Sequence, residues 1–142
     1  MTVSIECWLY KQAHHSFVGR NLMKKIFLEN ITRPLEEPIM LKQCDTFLTK
    51  LRGFTFTRKI KTDEGLVLMN ETESRLESAI HMLFVFFDLG VVWLDEKKVV
   101  VDLNLAKKWT SVLIPSKSAK FVVEVHPDRL KEFSIGDQLE FI

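Results

Sequence analysis

Apolar and polar side chains alternate from Lys24, where Lys-Lys-Ile-Phe-Leu-Glu-Asn-Ile puts every second residue on one face, the pattern of a half-buried strand. Thr32-Arg33-Pro34 interrupts it, and Pro38 to Cys44 offers a second strand, so the pair predicts a hairpin around a proline-bounded turn. Asp45 is placed to cap a short helix from Thr46 to Leu51, with Phe47, Leu48 and Leu51 on one face and Gly53 ending it. Leu66 to Met69 predicts a third strand, and the polar stretch Asn70 to Glu77 an exposed loop or helical turn.

In Ala79 to Phe87 both alternating sets are apolar: Ile80, Met82, Phe84 and Phe86 on one side, Leu83, Val85 and Phe87 with His81 on the other. A strand apolar on both faces is usually covered on both, so this segment is expected at the centre of the sheet. Asp88-Leu89-Gly90 reads as a turn, Val91 to Leu94 as the next strand, Asp95 to Lys98 as a charged turn and Val99 to Leu103 as the returning strand. Val112 to Ile114, Phe121 to Val125 and Gln138 to Ile142 add three more, with a turn or helix at Pro127 to Phe133. Together they predict a mainly β (β-rich α+β) fold, a compact sandwich or partly closed barrel of short, largely antiparallel strands with one or two short helices.

A chain of 142 residues fits one domain. Residues 1–22 lack the pattern of the rest and are expected to form an N-terminal extension, with Met23 as an alternative start and residues 23–142 as the β-rich domain. The 46% hydrophobic content, with eleven Phe and three Trp, points to an aromatic core. A net charge of +1 leaves electrostatic recognition to local clusters. Cys7 and Cys44 form no C-x-x-C pair, which favours reduced thiols over a bridge or metal site. Polar residues Glu6, Lys11, Gln12, His14 and His15 break up the region where a secretory signal would lie, and the longest apolar block, Ala79 to Leu94, is shorter than the roughly 20 residues of a membrane span. A cytoplasmic protein with no membrane contact is the expectation.

Four separated blocks carry a family likeness: Lys50-Leu-Arg52-Gly53-Phe54-Thr55-Phe56; Glu64-Gly65-Leu66; Ile80-His81-Met82 leading to Trp93-Leu94-Asp95; and Ala119 to Glu124 leading to Ile135-Gly136-Asp137. In this order they resemble the prokaryotic domain-of-unknown-function family 192 over roughly Lys24 to Ile142. The resemblance implies a mainly β, sandwich-like domain and no established activity. The family's usual Trp-Met-Lys-Asn-Thr is replaced here by His81 to Val85, an Asp is common where Gly90 stands, and the arginine usual after the Arg-Gly block falls at Thr57, beside Arg58.

The chemistry that remains is sparse. No metalloprotease, nucleophile-elbow, phosphate-loop or dinucleotide motif is present, and no metal or cofactor is expected. Lys50 to Lys61 is a local basic run, holding Arg52, Arg58 and Lys59 with interleaved Phe54 and Phe56, to which an anion could pair. The leading expectation is a non-catalytic module that binds a small anionic ligand or a protein partner near Arg52, Arg58, His81, Trp93 and Asp95. A hydrolase using His81 as base, oriented by Asp88 or Asp95, is an alternative. Weak single-stranded nucleic-acid binding through Lys50 to Lys61 is another, less favoured because the chain is near neutral. A monomer or weak homodimer is expected, since an edge strand could pair with a second copy.

Overall fold

The structure, a computed structural model, describes residues 24–44, 59–82, 85–109 and 112–142. The described residues hold nine strands: β1 Lys25–Asn30, β2 Ile39–Cys44, β3 Glu64–Ser74, β4 Ile80–His81, β5 Leu89–Leu94, β6 Val100–Ala106, β7 Val112–Leu113, β8 Ala119–Val125 and β9 Leu139–Phe141. Seven form one sheet in the order β6-β5-β8-β3-β2-β1-β9, while β4 and β7 pair separately. Neighbours in the large sheet run antiparallel except β2 and β3, which are parallel. The fold is mainly β, a curled half-barrel with a small second sheet. The helix expected after Asp45 lies outside the described residues.

Curling brings the sheet's two edges together at one corner. Val99 bridges Gln138, and Val100 N donates to Asp137 O at 2.9 Å while Gly136 N donates to Val100 O at 2.8 Å. Gly136 sits at φ +93°, a left-handed conformation that glycine adopts without steric cost. Inside the curl, Ile26, Leu28, Ile39, Leu41, Val67, Val92, Leu94, Val123 and Leu139 make the first core. The alternation read in β1 is realised there: Ile26 and Leu28 are buried while Lys25, Phe27 and Glu29 are exposed.

A 3-10 helix, Pro127–Glu132, packs against β5 and β6, and a buried polar network fastens it. Arg129 pairs with Glu132, and its guanidinium also donates to Thr62 O at 2.7 Å and Glu37 O at 2.6 Å. Glu132 accepts from Glu36 N at 2.7 Å. Burial alone would raise the Glu132 pKa, but the Arg129 and Glu36 hydrogen bonds outweigh it and hold the carboxyl below its usual range. Asn30 and Asp137 extend the network: Asn30 Nδ2 donates to Asp137 at 2.9 Å, and Arg33 bridges the same carboxylate at 3.1 Å.

The sheet's outer face carries a second core of Val91, Trp93, Val122, Ala106 and Ala119, covered by Ile80, Met82 and Val85. This corrects the expectation for Ala79 to Phe87. Among the described residues there, Ile80–His81 alone forms a strand, and it belongs to the small sheet. The segment is a cover laid on the outer face, and periodicity does not separate a covered strand from the chain that covers one. The strand covered on both faces is instead β5, next to the edge strand β6, buried at every residue and beginning at Leu89, where a turn was expected. β3 also runs further than its apolar residues, through exposed Glu71, Thr72 and Glu73 to Ser74, with a register shift between Met69 and Ser74. Ser78 then ties the turn down: its hydroxyl donates to Ala119 O at 2.5 Å, and its carbonyl accepts from Trp93 Nε1 at 2.7 Å.

Gly65 explains one of the family blocks. A Cβ at that position would lie 2.5 Å from Glu124 O and 2.7 Å from Leu41 Cδ2, so β2, β3 and β8 approach only because no side chain intervenes. Gly65→Ala is expected to lower stability by about 3 kcal/mol, the upper range of overpacking, as read from denaturant unfolding. Arg129→Ala, which leaves Glu132 buried without its partner, is expected to cost about 3–5 kcal/mol in the same measurement.

Candidate functional site

Four chain segments converge beside the leading end of β5: Lys59 and Ile60 before β3, Phe86 to Asp88 before β5, Lys108 after β6, and His126 with Pro127 after β8. They line an open cleft of about 470 Å³, within the size range of small-ligand sites. Its lining is about equally apolar and polar: Ile60, Phe86, Phe87 and Pro127 stand beside Lys59, Asp88, Lys108 and His126. Phe86 and Trp109 meet edge to face at 5.5 Å and are 43% and 47% exposed, so the Phe86 wall continues into an open aromatic rim.

Asp88 fixes the relative positions of two of these segments. Its Oδ1 accepts from Lys108 N at 2.9 Å and its Oδ2 receives Lys107 Nζ at 3.2 Å. The Lys108 backbone hydrogen bond, with help from Lys107, holds the Asp88 carboxyl below its usual range despite partial burial. Lys108 is anchored through its backbone, and neither its ammonium nor that of Lys59 forms a salt bridge among the described residues. His126 is held by the 3-10 helix that it caps: its Nδ1 accepts from Asp128 N at 3.2 Å, so the neutral ring carries its proton on Nε2 as a donor.

Glu124 is the penultimate residue of β8 and precedes the capping His126 by two residues. It is 7% exposed, and its partners across the sheet are Leu66 on β3 and Val91 on β5. None of the described residues donates a hydrogen bond to its carboxyl. Desolvation pushes its pKa up to about 7. Sequence reading passed over this residue. The available signal was a single carboxylate inside the apolar run Phe121-Val-Val-Glu-Val125.

Of the binding residues singled out from sequence, the three that the structure describes, His81, Trp93 and Asp95, do not line this cleft. Arg52 and Arg58 lie outside the described residues. His81 is half-buried in β4, paired with Val112 of β7. Trp93 is 1% exposed in the outer core and presents no surface. Asp95 is a turn carboxylate, accepting from Lys97 N and Val99 N at 2.9 Å each. It follows β5 whereas Asp88 precedes it, which separates Asp95 from the cleft by roughly 20 Å along the strand. With Asp88 bound to Lys107 and Lys108, neither carboxylate is hydrogen-bonded to His81. Among the described residues no cluster of three or more His, Cys, Asp or Glu is arranged to hold a metal ion, and no helix is long and apolar enough to cross a membrane.

The raised Glu124 pKa has a stability consequence of definite sign. The folded state binds the proton more tightly than the unfolded state, so its contribution is fully present below about pH 4.5 and is lost as pH rises through about 7. Glu124→Gln is expected to be more stable than the parent at pH 8, by up to roughly 3 kcal/mol, and to converge with it near pH 4. Thermal unfolding of both proteins across this range checks the difference. A parent that gains stability relative to the variant as pH rises would contradict it.

Comparison with known proteins agrees with the sequence likeness. Over residues 30–141 the chain matches the family DUF192, described as an uncharacterised ACR. A UPF0127 protein of Thermococcus kodakarensis is 37% identical over 59% of this chain and 52% of its own, so the chain spans about half of that relative's length. A UPF0127 protein of Pyrococcus furiosus is 30% identical over 79% of this chain and 95% of its own. The same fold occurs in the crystal structure of a Sinorhizobium meliloti protein provisionally described as a transcription regulator, with TM-score 0.75 at 14% identity over 87% of this chain and 98% of that one. The chain therefore belongs to the DUF192 family of uncharacterised prokaryotic proteins.

Proposed function

We propose that this domain is a non-catalytic binding module for a small anionic ligand of the carboxylate or phosphate class, received in the cleft beside β5. One observation carries the reading: two ammonium groups that form no salt bridge among the described residues, Lys59 and Lys108, stand on the wall of a cleft of ligand size. An anion between them replaces water with charge-assisted hydrogen bonds, and Nε2 of His126 is a further donor. Ile60, Phe86 and Pro127 supply apolar surface for the rest of the ligand. Lys59, which belongs to the basic run read from sequence, lines the cleft and supports the anionic reading.

A protein partner is a second reading, favoured by the exposed Phe86–Trp109 pair. Single-stranded nucleic acid would use the same aromatic rim with Lys59 and Lys61, and would show affinity that falls steeply with salt.

A thermal-shift series with sulfate, pyrophosphate and citrate at constant ionic strength tests the proposal, because a ligand that binds only the folded state raises Tm by mass action. At least one of the three is expected to raise Tm, and Lys59→Glu with Lys108→Glu to abolish the rise. A rise that the double variant leaves intact would place binding elsewhere, and no rise with any of the three would remove the anionic reading.

A further inference from the structure

Glu124 is out of keeping with its surroundings. A carboxyl nine-tenths buried, set between Leu66 and Val91 and given no donor by any described residue, weakens the sheet that contains it. Leu or Gln at this position would serve the core better. The position is what distinguishes it. His126 lies two residues further along the chain, just past the end of β8 and roughly 7 Å away between Cα atoms, and it lines the cleft. Across the sheet, Val91 is three residues beyond Asp88, which lines the opposite wall.

We propose that Glu124 governs the anion affinity of the cleft, admitting an anion while its carboxyl carries a proton and opposing it once ionised. This inference rests on the anionic reading of the cleft given above. The physical cause is charge repulsion across a poorly screened interior. An anion seated beside His126 lies on the order of 10 Å from the Glu124 carboxyl, and at an effective dielectric constant of about 20 two like charges at that distance oppose each other by roughly tenfold in affinity. Linkage makes the effect mutual: a bound anion must favour the protonated acid, raising the pH at which Glu124 ionises. Burial already places that ionisation near pH 7, within the range where a modest change in pH alters occupancy.

The other charged groups around Glu124 do not imitate this response. β5 presents only apolar residues on this face, Leu89, Val91 and Trp93, and β3 contributes Glu64 near its start. Around the cleft stand Lys59, Lys108, Asp88 and His126. Asp88 is held ionised by its hydrogen bonds to Lys108 and Lys107. His126 itself lines the cleft, so the test removes its contribution by working in a His126→Gln background.

Sulfate, whose charge is constant from pH 6 to pH 8, is the probe. Its affinity is measured by calorimetry for His126→Gln and for His126→Gln with Glu124→Gln, and the Glu124 carboxyl resonance of the otherwise unaltered protein is followed by carbon NMR with and without sulfate. Affinity is expected to fall on the order of tenfold between pH 6 and pH 8 in the first variant and to stay level in the second. The carboxyl is expected to titrate at higher pH when sulfate is saturating. Equal affinity at both pH values in the first variant, or a Glu124 titration that sulfate leaves in place, overturns the inference while leaving the anion site standing. Absence of sulfate binding at either pH in every protein overturns the anionic reading together with this inference.

Discussion

The structure depends on one constraint: β5 is buried at every residue and apolar on both faces, so both faces of it and of the neighbouring β8 must be covered. On the inner face Val92, Leu94, Val123 and Val125 are enclosed by the sheet's own curl, helped by the hydrogen bonds that join Val100 to Gly136 and Asp137. The outer face has no such recourse, because a sheet closes around only one of its sides. Ile80, Met82 and Val85 cover Val91, Trp93 and Val122 there, and the hydroxyl and carbonyl of Ser78 lock the cover to β8 and β5. Hydrophobic burial drives both layers, and the polar links at Ser78 and Arg129 set where each layer stops.

The cleft lies beside this cover, at the leading end of β5. Phe86 to Asp88 descend into β5 just as β8 ends at Val125, and Lys108 follows the end of β6, so the walls come from chain that enters or leaves the central strands. Such a location combines rigid support with access to solvent, which suits a binding site. Glu124 stands where the twice-covered strand meets that opening. Further inward a carboxyl would be too costly to keep, and further outward water would make it an ordinary surface acid.

Local sequence carried most of the elements. The alternation in Lys25–Asn30 found its strand, the turn at Asp95 to Lys98 formed as expected, and Pro127 opened a short helix. Ala79 to Phe87 was misjudged because its burial comes from a neighbouring layer, and an apolar segment looks alike whether it is covered or covering. The start of β5 was missed for a related reason. Leu89 and Gly90 look like turn residues beside Asp88, yet Gly90 is needed in the strand, since a Cβ there would lie 3.1 Å from Leu130 Cβ. The site was the least legible part. Lys59, Asp88, Lys108 and His126 are far apart in sequence and share no motif, so only the register of β3, β5, β6 and β8 brings them together.

Mapping backbone amide shifts by NMR during a titration with pyrophosphate addresses the account most directly, because it locates binding without prior choice of a residue to alter. Shifts are expected to concentrate at Lys59, Ile60, Phe86, Phe87, Asp88, Lys108 and His126, with a smaller response at the nearby Glu124. Shifts centred on Asp95, at the far end of β5, or a spectrum unchanged at saturating pyrophosphate would contradict it.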